Sequence, residues 1–165
     1  MEYVDPITTP ARYAEEKDIP RIVQDAEMMR KLCWKPHGRH RQAHAIAHPQ
    51  VHKNPLRFFV LRMGETLINP MILARLGDIN ACSEGCMSFP HDQNAEVPRH
   101  ETVQVRYFTP VRTPNGGWAL QRQEKTLSGM PAQIFQHEMD HLEGVSVYDY
   151  DAEKVEQYLK DYAND

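Results

Sequence analysis

Near its end the chain carries Gln136-His137-Glu138-Met139-Asp140-His141-Leu142-Glu143-Gly144, the stretch that most restricts what it can fold into. The stretch reads as a helix bearing H-E-x-x-H. Ser128 is the expected N-cap, and Gly144 falls just past the helix end, where a left-handed residue is wanted. Met130, Ile134, His137, Glu138 and His141 recur at helical spacing, so apolar and chemical side chains share one inward face. Two imidazoles and a carboxylate buried without partners are costly, and a divalent metal would supply the missing partner. Taken alone, H-E-x-x-H also arises on solvated helices, with the histidines partly buried and Glu138 at the surface.

Bulk properties narrow the class. A chain of 165 residues is long enough to bury a core and is expected to form one domain over 1–165. A net charge of -4 argues against a nucleic-acid binder as the main identity. No apolar run reaches the length of a membrane span, and no secretory signal pattern opens the chain. Cys33, Cys82 and Cys86 make an odd count, which favours a reducing, cytoplasmic setting.

Read in order, residues 1–19 look like an extended surface arm punctuated by Pro6, Pro10 and Pro20. Ile22, Val23, Ala26, Met29, Leu32 and Cys33 predict a first helix from Pro20 to Cys33, with Cys33 a small buried residue on its face. His37, His40, His44, His48 and His52 recur every three or four positions, but Pro36, Gly38 and Pro49 interrupt them. A solvated loop is therefore expected there, with a second metal site or a basic patch touching ribosomal RNA as lesser alternatives. Arg57–Arg62 reads as a buried strand. Leu67-Ile68 and Met71-Ile72-Leu73 read as strands flanking an Asn69-Pro70 turn. Glu101–Phe108 alternates, with Val103, Val105 and Tyr107 on one face, and Thr113-Pro114-Asn115-Gly116 is a hairpin signal leading into Trp118-Ala119-Leu120. Val155, Tyr158, Leu159 and Tyr162 predict a short amphipathic C-terminal helix. The fold class expected is α+β.

A hydrolytic metal held by two histidines needs a third ligand and an open position. Three places offer one. The extended motif with a third histidine has Val147 at that position. Glu153, Glu156 and Asp161 lie downstream, where they are more simply the wet face of the last helix. Upstream, Glu84-Gly85-Cys86-Met87-Ser88 offers a thiolate beside a glycine, although Cys86 also reads as a buried small residue.

Glu84-Gly85-Cys86-Met87-Ser88 and Gln136-His137-Glu138-Met139-Asp140-His141-Leu142 resemble the second and third motifs of the peptide deformylases, E-G-C-L-S and Q-H-E-x-D-H-L. Ala43-His44-Ala45-Ile46-Ala47-His48-Pro49-Gln50 resembles the first, G-x-G-x-A-A-x-Q. Leu67-Ile68-Asn69-Pro70 and Val97-Pro98-Arg99 match further family segments, and Gly129 and Ala132 sit where the metal-binding helix starts. The resemblance implies antiparallel strands surrounding a central helix that carries the two histidines. It implies Cys86, His137 and His141 as ligands of one divalent metal, Fe(II), with Zn, Ni or Co as substitutes. Glu138 becomes the general base, and the Gln50 amide and the Met87 backbone N–H become donors to the developing oxyanion. Ala45, Ile46, Glu84, Gly85, Met130 and Ile134 are implied to meet the substrate, the last two around its methionine side chain. Glu84 and Asp140 would orient ligands or backbone.

The implied reaction removes the N-formyl group from formylmethionyl peptides and nascent chains and releases formate. The implied setting is the cytoplasm, with the ribosome's peptide exit as a further partner, no membrane and a monomeric state. Ala43 and Ala45 replace glycines, His44 replaces an apolar residue and His48 a small one, which bears on peptide binding more than on metal chemistry. A generic H-E-x-x-H metallopeptidase and a catalytically silent binder of formylated chains are the competing readings.

Overall fold

The computed structural model describes residues 1–4, 7, 9–38, 42–88 and 93–163; Pro6 and His40 lie outside them. Among the described residues, three helices, α1 (Ile19–Cys33), α2 (Met130–Leu142) and α3 (Ala152–Tyr162), accompany five strands. The strands are β1 (Ala45–Ala47), β2 (Phe58–Leu61), β3 (Thr66–Glu84), β4 (Ala95–Arg112) and β5 (Trp118–Ser128). They form one antiparallel sheet in sequence order.

The run Phe58-Phe59-Val60 is buried throughout because the sheet is covered on both faces there. Phe58 and Val60 join Ile22, Ala26 and Met29 of α1. Phe59 points the other way, to Phe135 and Ala132 of α2, and its ring meets that of Phe135 edge-on at 5.4 Å. Alternate residues of one strand thus feed two cores, as the period of two demands. Val103, Val105 and Tyr107 of β4 are all buried against α2, on the face their alternation predicts.

Four local expectations need correction. The N-terminal segment is no surface arm: Ile7, Ala11 and Ala14 are buried. Ala11 N–H donates to the Leu142 carbonyl at 2.8 Å, and Arg57 N–H donates to the Arg12 carbonyl at 2.8 Å, so the segment ties the end of α2 to the start of β2. Asn69-Pro70 is not a turn between two strands. β3 runs through it with a shift of register, because Asn69 takes a left-handed φ of 48° and its amide bonds the Ala14 N–H and carbonyl at 2.9 and 3.0 Å. The N-cap of α2 is Gly129 (φ 65°, ψ -136°), since Ser128 still belongs to β5 and meets Thr102 hydroxyl to hydroxyl at 2.8 Å. The histidine-rich segment is not uniformly solvated: His48 is fully buried in a one-turn 3-10 helix, His48–Gln50.

The other signals agree with the structure. α1 starts one residue before Pro20 and ends at Cys33, which is buried. Gly144 is left-handed (φ 77°) at the end of α2, and the Thr113–Gly117 turn joins β4 to β5. The Asp151 carboxylate caps α3 by accepting from Lys154 N–H at 2.8 Å. Among the described residues, no helix is long and apolar enough to cross a membrane.

Candidate metal centre

α2 sets His137 and His141 one turn apart, their rings 4.5 Å from each other and nearly perpendicular. Opposite them, just beyond the end of β3, stands Cys86. Its sulfur lies 3.4 Å from Nε2 of His141, and the ligand atoms of all three residues fall within 4.8 Å of one another. Among the described residues this is the one such group. Val147, at the position of a third histidine in the extended motif, packs in the apolar cluster behind Cys86. Glu153, Glu156 and Asp161 are exposed on α3.

The outer nitrogens of both histidines are already committed. Nδ1 of His141 donates to the Val145 carbonyl at 2.9 Å, and Nδ1 of His137 meets Glu84 Oε1 at 2.9 Å. Each ring is thereby oriented with Nε2 left for the centre, the usual arrangement behind a metal-ligating histidine.

Glu84 is itself held from three sides. Arg99 pairs with it bidentately at 3.0 and 2.8 Å, and Gln133 donates to it at 3.0 Å. Arg99 also reaches Asp140 Oδ2 at 2.7 Å, which in turn accepts from the Tyr150 hydroxyl at 2.8 Å. Asp140, Arg99, Glu84 and His137 form one chain of alternating charge, buried at Arg99 and Glu84 and half-buried at its ends. Burial raises the Glu84 carboxyl, but His137 and Arg99 outweigh it and bring it down to about 2. Burial likewise opposes charge on Arg99, which Asp140 and Glu84 overcome, so its pKa is raised.

The centre calls for positive charge. Burial opposes ionisation of Cys86, yet the two imidazoles hold the thiol well below its usual range, as a thiolate ligand requires. Burial disfavours a charged His137, but Cys86 and Glu84 raise it to about 10. A divalent cation satisfies the demand those protons otherwise meet. Glu138 is 4% exposed, and its Oε2 has no hydrogen-bond partner among the described residues. Burial raises its pKa, with the two histidines opposing. An orphaned carboxylate oxygen beside a Cys-His-His set fits a metal with an open position next to a base.

Gln50 reaches the same place from the opposite wall. Its Oε1 accepts from Ala47 N–H at 2.8 Å, and its Nε2 donates to Ser88 Oγ at 3.0 Å and faces the Cys86 sulfur at 3.8 Å. A cleft of about 420 Å³ opens here, lined by Ala45, Gln50, Glu84, Gly85, Met87, Met130 and Ile134 together with Cys86, His137 and Glu138. Ile46 is different: its side chain is fully buried against α1 and lines no part of the cleft. Asp140 is connected to the site through Arg99. His44 lies on the cleft and is exposed, whereas His37 contacts the Tyr3 ring at 4.8 Å. Arg99 and Gln133 are the contributors that sequence reasoning missed. The segment Val97-Pro98-Arg99 was the available signal for the first, and its side of the strand decides its role.

The polypeptide deformylase family model matches residues 5–157. A peptide deformylase of Thermotoga neapolitana is 39% identical over 107 residues, which is 63% of this chain and 59% of that protein. The match therefore spans less than two thirds of that relative. A peptide deformylase of Cytophaga hutchinsonii is 31% identical over 171 residues, covering 97% of this chain and 85% of the relative. Among solved structures, the peptide deformylase of Thermotoga maritima superposes with a TM-score of 0.70 at 30% identity, over 90% of this chain and 97% of that one. An Arabidopsis thaliana deformylase 1B in complex with an inhibitor gives 0.70 at 28%, over 98% and 87%. With its Cys-His-His set, buried Glu138 and Gln50 on one cleft, the chain belongs to the polypeptide deformylase family.

Proposed function

We propose that the protein hydrolyses the N-formyl group of formylmethionyl peptides and newly made chains, releasing formate. The observation that carries this reading is the convergence of Cys86, His137 and His141 within 4.8 Å beside Glu138, whose Oε2 has no hydrogen-bond partner among the described residues. Cys86, His137 and His141 hold the metal, Fe(II) by preference, with Zn, Ni or Co able to replace it. A cation held there would supply Lewis acidity. Glu138 takes the proton of the attacking water and returns it to the departing amine, a role that its raised pKa suits. Gln50 Nε2 and the Met87 N–H donate to the oxygen on which charge develops, each worth about a hundredfold in rate. Met130 and Ile134 border the methionine side chain, and Ala45 and Gly85 run alongside the peptide backbone. Arg99 and Asp140 keep Glu84 charged, and Glu84 keeps His137 oriented.

In this reading residues 1–165 form one catalytic domain, with antiparallel strands around α2 as its central scaffold. It works as a cytoplasmic monomer that meets its substrates near the ribosome's peptide exit. A generic H-E-x-x-H peptidase gives no reason for the thiol at 3.4 Å from His141, and a silent binder none for an ionisable base in the cleft. The test offers Fe(II)-loaded protein two peptides, formyl-Met-Ala-Ser and an unblocked heptapeptide. Formate from the first and no cleavage of the second is expected, and Cys86→Ala should abolish both metal retention and turnover. Internal cleavage that survives Cys86→Ala would favour the peptidase.

A further inference from the structure

A second cavity, of about 280 Å³, adjoins the cleft at the metal centre. His44, which is exposed, and Ile134, which is half-buried, line both. The two spaces also share a strand pair: Ala45 of the cleft lies opposite Leu61 of the cavity, and Arg62 N–H donates to the His44 carbonyl at 2.9 Å. Their linings differ in character. The cleft is bordered by Gln42, Ser83 and Gln133 besides the groups at the metal centre. The cavity is lined by the buried rings of Phe59 and Phe135 and by Leu61, Leu67 and Leu127 of β2, β3 and β5. Polar groups at its border are turned to other protein groups. Glu65 Oε1 accepts from the Tyr107 hydroxyl and from Lys125 Nζ, both at 2.9 Å. Arg62 Nη1 donates to Gln42 Oε1 at 3.0 Å, and its guanidinium lies 4.8 Å from the Trp34 ring centroid. What the cavity offers an occupant is therefore apolar surface.

Which part of a peptide reaches it follows from the period of an extended chain. Side chains alternate, so every second one faces the same wall, about 6.6 Å further on. With the methionine side chain against Met130 and Ile134, the second residue faces away. The third faces the α2 wall again, on the far side of Ile134, where the cavity lies. We propose that this cavity is the subsite for the third residue of the substrate peptide and selects a large apolar side chain there. The proposal rests on the cleft holding a formylmethionyl peptide alongside Ala45 and Gly85. Burial of that side chain is the same in the ground and transition states, so it lowers KM and leaves kcat nearly unchanged.

The test compares formyl-Met-Ala-Leu, formyl-Met-Leu-Ser and formyl-Met-Ala-Ser on the full Fe(II)-loaded chain. Leucine at the third position should lower KM about tenfold relative to serine, the effect of burying one such side chain. Leucine at the second position should not. Leu127→Trp, which fills the cavity from β5, should remove the advantage. Equal KM for all three peptides, an advantage at the second position, or one that survives Leu127→Trp would overturn the proposal. An equal loss with every peptide in Leu127→Trp would place the methionine side chain in the cavity and overturn it too. If Leu127→Trp does not fold, a second readout decides without the variant and without turnover. In methyl NMR of the Zn(II)-loaded chain, excess Met-Ala-Leu should move the Leu61, Leu67 and Leu127 signals. Met-Ala-Ser should leave those in place while moving Ile134. Leucine signals that stay still with Met-Ala-Leu refute the subsite even where formate is released. No formate from any peptide, with those signals moving as expected, counts against the deformylase reading alone.

Discussion

Glu84 and Arg99 are each almost wholly buried, 6% and 2% exposed, and such a pair persists only because each end finds further partners. Glu84 spends its remaining capacity on His137 and Gln133, and Arg99 spends its own on Asp140. Removing one member strands the other. Arg99→Ala should therefore destabilise the protein by about 3–5 kcal/mol, read as a lower urea midpoint, and should weaken metal retention through His137. Unchanged stability would contradict the chain of charge described here. At this scale the sequence was informative where a residue's type is its function. His137, Glu138 and His141 follow from spacing, and the resemblance brought Cys86 and Gln50 to them. The role of Arg99 was not legible beyond its family segment, and Gln133 was not legible at all. An arginine on a strand and a glutamine on a helix are ordinary, and they join the site only because β4 and α2 pack against each other.

α2 depends on how it begins. Gly129 has φ 65° and ψ -136°, a region that residues with a side chain rarely enter, and nothing lies within 4 Å of where a Cβ would stand. Gly129→Ala therefore isolates backbone strain from crowding. A loss of about 1–3 kcal/mol is expected in chemical denaturation, and an unchanged midpoint would mean the helix start relaxes. The apolar spacing of α2 identified the helix, but Ser128 looked the better cap because a β-pairing with Thr102 leaves no trace in local sequence. The same limit explains the N-terminal segment. Prolines and polar residues mark it as loop, while Ala11 and Ala14 are buried by closure with Leu142 and Leu56, and Ile7 by Cys86, Val97 and Val147, all far along the chain. The outer half of β3, from Ala74 to Ser83, is largely exposed or half-buried, so it lacks the alternation that makes a strand readable.

Across the whole molecule, β1 and β2 lie between the α1 core and the α2 core, and the 3-10 turn with Gln50 joins them to the metal centre. His48 makes that junction sensitive to acid. Its folded pKa of about 3 lies below the ordinary 6.5, so below pH 6.5 the unfolded chain binds a proton that the folded one refuses. Stability from this group is intact above pH 6.5 and falls continuously toward pH 3, by at most about 5 kcal/mol at the acid end. His48→Gln should flatten that part of the stability curve, and a curve of unchanged slope would show that His48 keeps its proton when folded.

The central claim joins one metal centre to one base. Its most direct test is formate release from formyl-Met-Ala-Ser by Fe(II)-loaded parent and Glu138→Ala, with bound metal counted in both. The account predicts turnover in the parent, one metal per chain in each protein, and a loss of about a hundredfold or more in the variant. Parental rates in Glu138→Ala, or no formate from a fully loaded parent, would contradict it.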